Sequence, residues 1–156
     1  MSVEYVSGDL FVNRYKAQAF AHGCNCQGAM GAGVAKGFHE RYPKMYEEYR
    51  RLCKAGPRQF NPGDSFLWKQ AGRPCVFNLG TQEDYRHRRA SCEAIEKALE
   101  TMKHQADETG IRSIAMPKIG AGLGGLSWDE VRPVVERAFA EWTGTLYVYE
   151  EYVPGR

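Results

Sequence analysis

No apolar run in the sequence approaches the ~18 residues that a membrane-spanning helix requires, and the N-terminus, Met1-Ser2-Val3-Glu4-Tyr5, lacks the basic-then-apolar layout of a secretory signal. Nothing here points to a membrane. Charge of one sign is also scarce: 21 Lys and Arg against 19 Asp and Glu leave a formal +2, too little to imply nucleic-acid binding by itself. The five cysteines (Cys24, Cys26, Cys53, Cys75 and Cys92) are odd in number and have no disulfide-framework spacing. Cys24-x-Cys26 beside His22 is only half of a zinc site, since no second pair stands at matching spacing. The expectation is a cytoplasmic chain with reduced thiols, no metal and no cofactor. Repeats, low-complexity tracts and linkers are absent too. The 156 residues read as one domain, 1–156, able to bury about two-thirds of its unfolded surface without staples.

Glycine, at 17 residues, and tyrosine, at 9, are plentiful. The glycines gather in two segments, His22-Gly23-Cys24-Asn25-Cys26-Gln27-Gly28-Ala29-Met30-Gly31-Ala32-Gly33 and Pro117-Lys118-Ile119-Gly120-Ala121-Gly122-Leu123-Gly124-Gly125. Each follows a strand-like run and opens into a helix-like one. Such a turn brings backbone N–H groups close to a ligand, and the helix N-terminus behind it favours negative charge. One glycine loop need be no more than a tight turn; two facing one cleft would suit a diphosphate. Gly120-x-Gly122-x-x-Gly125 matches the dinucleotide fingerprint in form, but only about thirty residues follow it, too few for the further βαβ series. Neither segment supplies the Lys-Ser or Lys-Thr of a nucleotide-hydrolase loop, which excludes that chemistry.

Strand patterns fall near Val3–Val6, Ala17–Ala21, Ser65–Lys69, Cys75–Leu79, Ser113–Met116 and Thr145–Glu151, and helical spacing near Gly33–Arg41, Lys44–Cys53, Arg88–Gln105 and Trp128–Trp142. Ser127 with Glu130 forms a capping-box pattern at the start of the last helix, and residues 55–63 read as a surface connection. Six strands interleaved with helices predict an α/β fold, three layers around a mixed sheet. Asp9, after Gly8, is placed either to accept from an exocyclic amine or to cap a turn; Asn25 either to meet ribose hydroxyls or to shape its turn. His22 is an acid/base candidate or a core histidine. The run Tyr85-Arg86-His87-Arg88-Arg89 either steers an anion or is a solvated face.

Gly8-Asp9-Leu10, the segment Ala21 to Ala35, and Pro117 to Leu123 together resemble the macrodomain family, modules that bind ADP-ribose, and within it the branch of ADP-ribose glycohydrolases and ADP-ribose-1″-phosphate phosphatases. The His-x-Cys-Asn-Cys run and Arg41-Tyr42-Pro43-Lys44 look especially like the fungal phosphatase. The resemblance implies a three-layer α/β/α macrodomain with a six-stranded mixed sheet. By it, Asp9 and Leu10 would hold adenine with Tyr149 beside them, and Asn25 would meet the distal ribose. Met30, Gly31, Ala32, Gly33 and Val34 would line the first loop, while Ile119, Gly120, Ala121, Gly122, Leu123 and Gly124 would wrap the phosphates. Thr81 and Gln82 stand where the glycohydrolases of this branch carry their lysine nucleophile, and the lysine's position holds Gln82. The position of the assisting acid holds Gly124. An amide forms no such adduct, so the resemblance implies water-mediated hydrolysis at the distal ribose, with Asn25, Gln82 and His22 as catalytic candidates and a labile ester to glutamate or aspartate as the bond cut. Phosphatase action through His22 and a non-catalytic reader are the alternatives. The expected partners are ADP-ribose and ADP-ribosylated protein, with ADP-ribosylated nucleic acid also allowed, acting on a monomer.

Overall fold

A computed structural model describes residues 2–84 and 90–156; the basic run at 85–89 lies outside them. Six strands, β1 (Val3–Gly8), β2 (Ala19–Asn25), β3 (Ser65–Trp68), β4 (Cys75–Gln82), β5 (Ser113–Pro117) and β6 (Thr145–Tyr152), form one sheet in the order β1-β6-β5-β2-β4-β3. Every neighbouring pair is parallel except β3 with β4, so the sheet is mixed. Four helices accompany it: α1 (Gly33–Arg41), α2 (Pro43–Lys54), α3 (Cys92–Thr109) and α4 (Trp128–Phe139).

Parallel strands need helical crossovers, and the crossovers cover both faces. β2 shows the consequence in sequence: Ala19 and Ala21 pack into the core shared with α3 and α4, whereas Phe20 and Cys24 pack into the core shared with α1 and α2. Local chemistry sets the helix ends. Pro43 occupies the first turn of α2, where its missing N–H costs nothing. The Ser91 hydroxyl accepts from the Ala94 N–H to start α3, and Gly110 closes that helix at φ 74°. Ser127 and Glu130 form the full capping box on α4.

Most bounds shift by a residue or more from the sequence reading, β4 running on to Gln82 and α3 to Thr109 among them. β2 runs on through His22-Gly23-Cys24-Asn25, which pair with Asn78–Gln82 of β4, so the first glycine turn begins only at Cys26. Pairing with a distant strand overrides the local turn signal there. α3 begins at Cys92, where Ser91 caps it, and α4 ends at Phe139 rather than Trp142. The ladder between β2 and β5 is registered only at Ala19–Ile114 and Phe20–Ala115. Past those pairs the two central strands no longer pair with each other but only with their outer neighbours β4 and β6, toward the carboxyl ends where open α/β sheets place their ligand crevice.

Candidate active site

At that end lies a cleft of about 550 Å³, within the range of small-ligand sites. Its walls are the two glycine loops: Ala32 to Ala35 on one side, Ile119 to Gly122 with Gly124 on the other. The backbone at His22–Gly23, with Thr81 and Gln82, makes the floor, and Tyr149, Glu150 and Tyr152 close the end under β6. A second depression, between Tyr46 and Lys54, is lined by α2 alone and brings no opposing wall.

The two loops offer donors differently. α1 starts at Gly33, with φ 62°, and Ala32 before it gives no side-chain cap, so the first N–H groups of α1 are open toward the cleft. The N-terminus of α4 is instead engaged by its own capping box, and the second wall is the 3-10 turn Gly122–Gly124, which includes the Leu123 backbone. Gly120, at φ 77°, holds this turn against the core: a Cβ there would stand 2.7 Å from Ile95 Cδ1. The Leu126 N–H returns to the Gly120 carbonyl at 2.9 Å, and the Ala90 N–H to that of Gly124 at 2.7 Å.

Several of the side chains singled out in the sequence serve the walls from behind. His22 is 1% exposed, stacked on Phe38 with ring centres 4.1 Å apart, and its Nε2 sits 2.6 Å from Asn78 Oδ1. Asn78 donates its own Nδ2 to the Phe66 carbonyl, so its Oδ1 faces the ring and the neutral imidazole donates from Nε2. Burial pushes the His22 pKa down to about 4, and the bond to Asn78 only partly offsets this. Asn25 turns its amide inward: Oδ1 accepts from the N–H groups of Gln27 and Ala29 and from the Tyr49 hydroxyl, while Nδ2 donates to the Ala29 carbonyl. Leu10 and Met30 lie in the α1/α2 core, and Gly31 is exposed beyond the rim of the cleft. Asp9 is half-buried, with Oδ1 accepting from the Phe11 N–H at 3.0 Å.

The floor is made by close approach. A Cβ on Gly23 would stand 3.1 Å from both Oγ1 and Cγ2 of Thr81, so the bare backbone of β2 lets Thr81 sit 2% exposed against it. Gln82 Nε2 donates to the Asp84 carbonyl at 2.8 Å, which turns Oε1 toward Gly124. Sequence reasoning missed Gly23, Ala35, Pro117, Lys118, Glu150 and Tyr152 as cleft residues. The signal for the last two was the rule that sites gather at the carboxyl ends of parallel strands, applied to the end of β6. Glu150 also accepts from Trp128 Nε1 at 2.7 Å and pairs with Arg132 at 3.2 Å, tying the start of α4 to the cleft's end. Among the described residues no three His, Cys, Asp or Glu side chains cluster as a metal site would need, and no helix is long and apolar enough to cross a membrane.

Comparison with known proteins bears on this arrangement directly. The chain is similar to the DNA ADP-ribosyl glycohydrolase of Thermus aquaticus, 32% identical over 95% of this chain but only 41% of the relative. It therefore spans about two-fifths of that protein's length. It is 30% identical to the human ADP-ribose glycohydrolase OARD1 over 94% of this chain and 90% of the relative, and 29% identical to an ADP-ribose 1″-phosphate phosphatase of Meyerozyma guilliermondii over 86% and 93%. Among solved structures, the macrodomain of Thermus aquaticus DarG superposes with a TM-score of 0.83, at 32% identity over 95% of this chain and 97% of that one. The sequence model of the Macro domain matches residues 21–135, from the strand that carries the first glycine loop to the helix behind the second, and the chain belongs to that family.

Proposed function

We propose that the cleft binds ADP-ribose and hydrolyses ADP-ribosyl derivatives at the distal ribose with a bound water, an ester to a glutamate or aspartate side chain being the bond cut. The diphosphate would lie between the open N-terminus of α1 and the backbone of the second loop, with adenine toward Asp9 and Tyr149. Water would bond to the anomeric carbon while the bond from that carbon to the acceptor oxygen breaks. The carboxylate departs with the electron pair, and the water's spare proton passes to solvent. Names borne by the relatives, glycohydrolases above all, support the hydrolase reading.

The observation that carries the water route is the pair Gln82 and Gly124, which sets an amide oxygen and a bare backbone side by side on the floor. Neither supplies an amine nucleophile nor a carboxylate base at that point of the cleft, which favours a route in which water and scissile bond are held together there, and such positioning contributes several kcal/mol. A carboxylate is a good leaving group and needs no more. Phosphatase action would need His22 to exchange a proton with substrate, which its burial against Phe38 and its low pKa both oppose. We further read residues 1–156 as one macrodomain acting as a monomer, and the five free thiols as suited to the cytoplasm.

Titration calorimetry with ADP-ribose, followed by incubation with glutamate-linked ADP-ribosyl protein, tests this. Binding with release of ADP-ribose is expected. Binding without release would leave a reader of the mark, and absence of binding would overturn the assignment of the cleft.

A further inference from the structure

The second depression, about 520 Å³ between Tyr46, Glu47, Arg50, Arg51 and Lys54, sets three cations on one face of α2. Arg51 is paired with Glu48 on the same helix. Arg50 and Lys54 are exposed and make no ion pair or side-chain hydrogen bond among the described residues. Their stems lie against the first glycine loop: Arg50 Cγ is 3.3 Å and Lys54 Cε 3.4 Å from the place a Cβ on Gly28 would take. The Tyr46 hydroxyl donates to the Gly28 carbonyl at 3.1 Å and the Tyr49 hydroxyl to that of Asn25 at 2.7 Å, so this part of α2 is fixed on the loop. The root of the loop adjoins the floor of the cleft. Asn25 stands opposite Gln82 in the sheet, where neighbouring strands lie about 5 Å apart, and the three residues from Asn25 to Gly28 reach at most about 11 Å. Gly28 thus lies no more than about 16 Å from Gln82, a span that an extended peptide covers in about five residues.

We propose that Arg50 and Lys54 dock the acceptor, an acidic peptide segment that carries the ADP-ribosyl glutamate, leaves the cleft beside Gln82, crosses the first glycine loop and sets its flanking carboxylates against the two cations. This rests on the reading of the cleft as a site that cuts esters to glutamate or aspartate, and it names which of those acceptors the protein prefers. Exposed ion pairs are weak when the partners must first find each other. Once ADP-ribose is held in the cleft the segment is tethered, and the same pairs form at a high effective concentration. The depression has no opposing wall, so an extended segment lies along it without threading. Spacing decides between polyanions. Arg50 and Lys54 are one helical turn apart, while Glu47 lines the same depression and Glu48 occupies Arg51. A nucleic-acid strand brings a phosphate at every residue and would meet Glu47 as well. A peptide can place two carboxylates on the two cations and stay neutral elsewhere.

The probes are peptides bearing ADP-ribose through an amide in place of the labile ester, so that calorimetry reads binding without turnover. One carries glutamates within about five residues of the modified position, a second has glutamines there and a third lysines. Wild type should bind the acidic peptide about fivefold more tightly than the glutamine one at low salt, and the gap should close at about 0.5 M salt. In the double variant Arg50→Met with Lys54→Met, whose side chains keep the packing on Gly28, the two peptides should bind alike. In Arg50→Glu with Lys54→Glu the lysine peptide should become the tighter one. Affinity for free ADP-ribose and the melting temperature should stay at wild-type values in both variants, whereas damage to the loop would move them. Equal affinity of wild type for the acidic and glutamine peptides, a preference that survives both variants, or a parallel loss of free ADP-ribose would overturn the docking surface while leaving the function of the cleft standing. So would an unmodified single-stranded oligonucleotide that displaces the acidic peptide better than the same peptide without ADP-ribose does, a result that gives the face to nucleic acid. Should the charge-reversed variant not fold, the methionine variant and the salt series on wild type decide alone. Failure of wild type to bind ADP-ribose at all would overturn both readings.

Discussion

The side-chain oxygen of Gln82 faces the backbone of Gly124, 3.6 Å from the point where a Cβ would stand. Two loops distant in sequence thus meet at the floor of the cleft through an amide and a bare α-carbon. The amide is held by its own donor, which reaches the Asp84 carbonyl at 2.8 Å. A group so fixed is suited to positioning a water and poorly suited to attacking anything.

Replacing Gln82 by Ala should therefore lower kcat for ester-linked ADP-ribose by roughly tenfold or more, the loss expected when one preorganised polar contact to the reacting centre is removed. The dissociation constant for ADP-ribose should barely move, because the amide meets no phosphate or base. Steady-state turnover and calorimetry on the same preparation decide this. Equal loss of binding and turnover would mean that Gln82 only shapes the loop.

His22 makes a prediction about stability rather than rate. Its pKa falls from 6.5 to about 4 on folding, so between those values the unfolded chain binds the extra proton and the folded one does not. Stability should be fully present above about pH 6.5 and be lost progressively as the pH falls toward 4, by roughly 3 kcal/mol in all. Urea melts across that range should show the slope in wild type and much less of it in His22→Phe. Turnover, by contrast, should show no inflection from His22 at neutral pH.

Much of this was legible in the sequence, and the parts that were not have a common cause. The capping box at Ser127 and the paired glycine loops are local signals, and local chemistry decides them. The continuation of β2 through Asn25 depends on β4, more than fifty residues away in sequence, since His22 pairs with Asn78. Which way the Asn25 amide points depends on Tyr49 of α2, and whether His22 faces ligand or core depends on Phe38 of α1. Glu150 and Tyr152 join the cleft only because β6 lies beside β5. Each is a fact of tertiary placement, to which periodicity and turn chemistry are blind.

Tyr49 offers a way to loosen the first glycine loop without touching the cleft. Its hydroxyl donates to the Asn25 side chain and backbone carbonyl, at 2.9 and 2.7 Å. Tyr49→Phe keeps the packing and deletes those bonds, leaving Asn25 to hold its turn alone. A stability loss of about 1 kcal/mol and a severalfold weaker affinity for ADP-ribose are expected. Denaturant melts and calorimetry check both, and an unchanged affinity would show that the turn holds its shape without help from α2.

Gly120 tests the second loop with a single methyl group. Its φ of 77° is costly for any residue with a side chain, and an added Cβ would lie 2.7 Å from Ile95 Cδ1, 3.3 Å from Val131 Cγ2 and 3.4 Å from Leu126 Cδ1. Those neighbours belong to the core shared with α3 and α4, which is close-packed and yields little. Relief can come from the loop moving outward, and outward here is into the cleft. Gly120→Ala should cost about 1–3 kcal/mol through strain and overpacking. It should also abolish measurable ADP-ribose binding at temperatures where the variant remains folded. Melting by circular dichroism fixes that temperature window and calorimetry within it reads the affinity. Wild-type affinity in a destabilised but folded variant would mean that the loop moves elsewhere and that its backbone does not wrap the diphosphate.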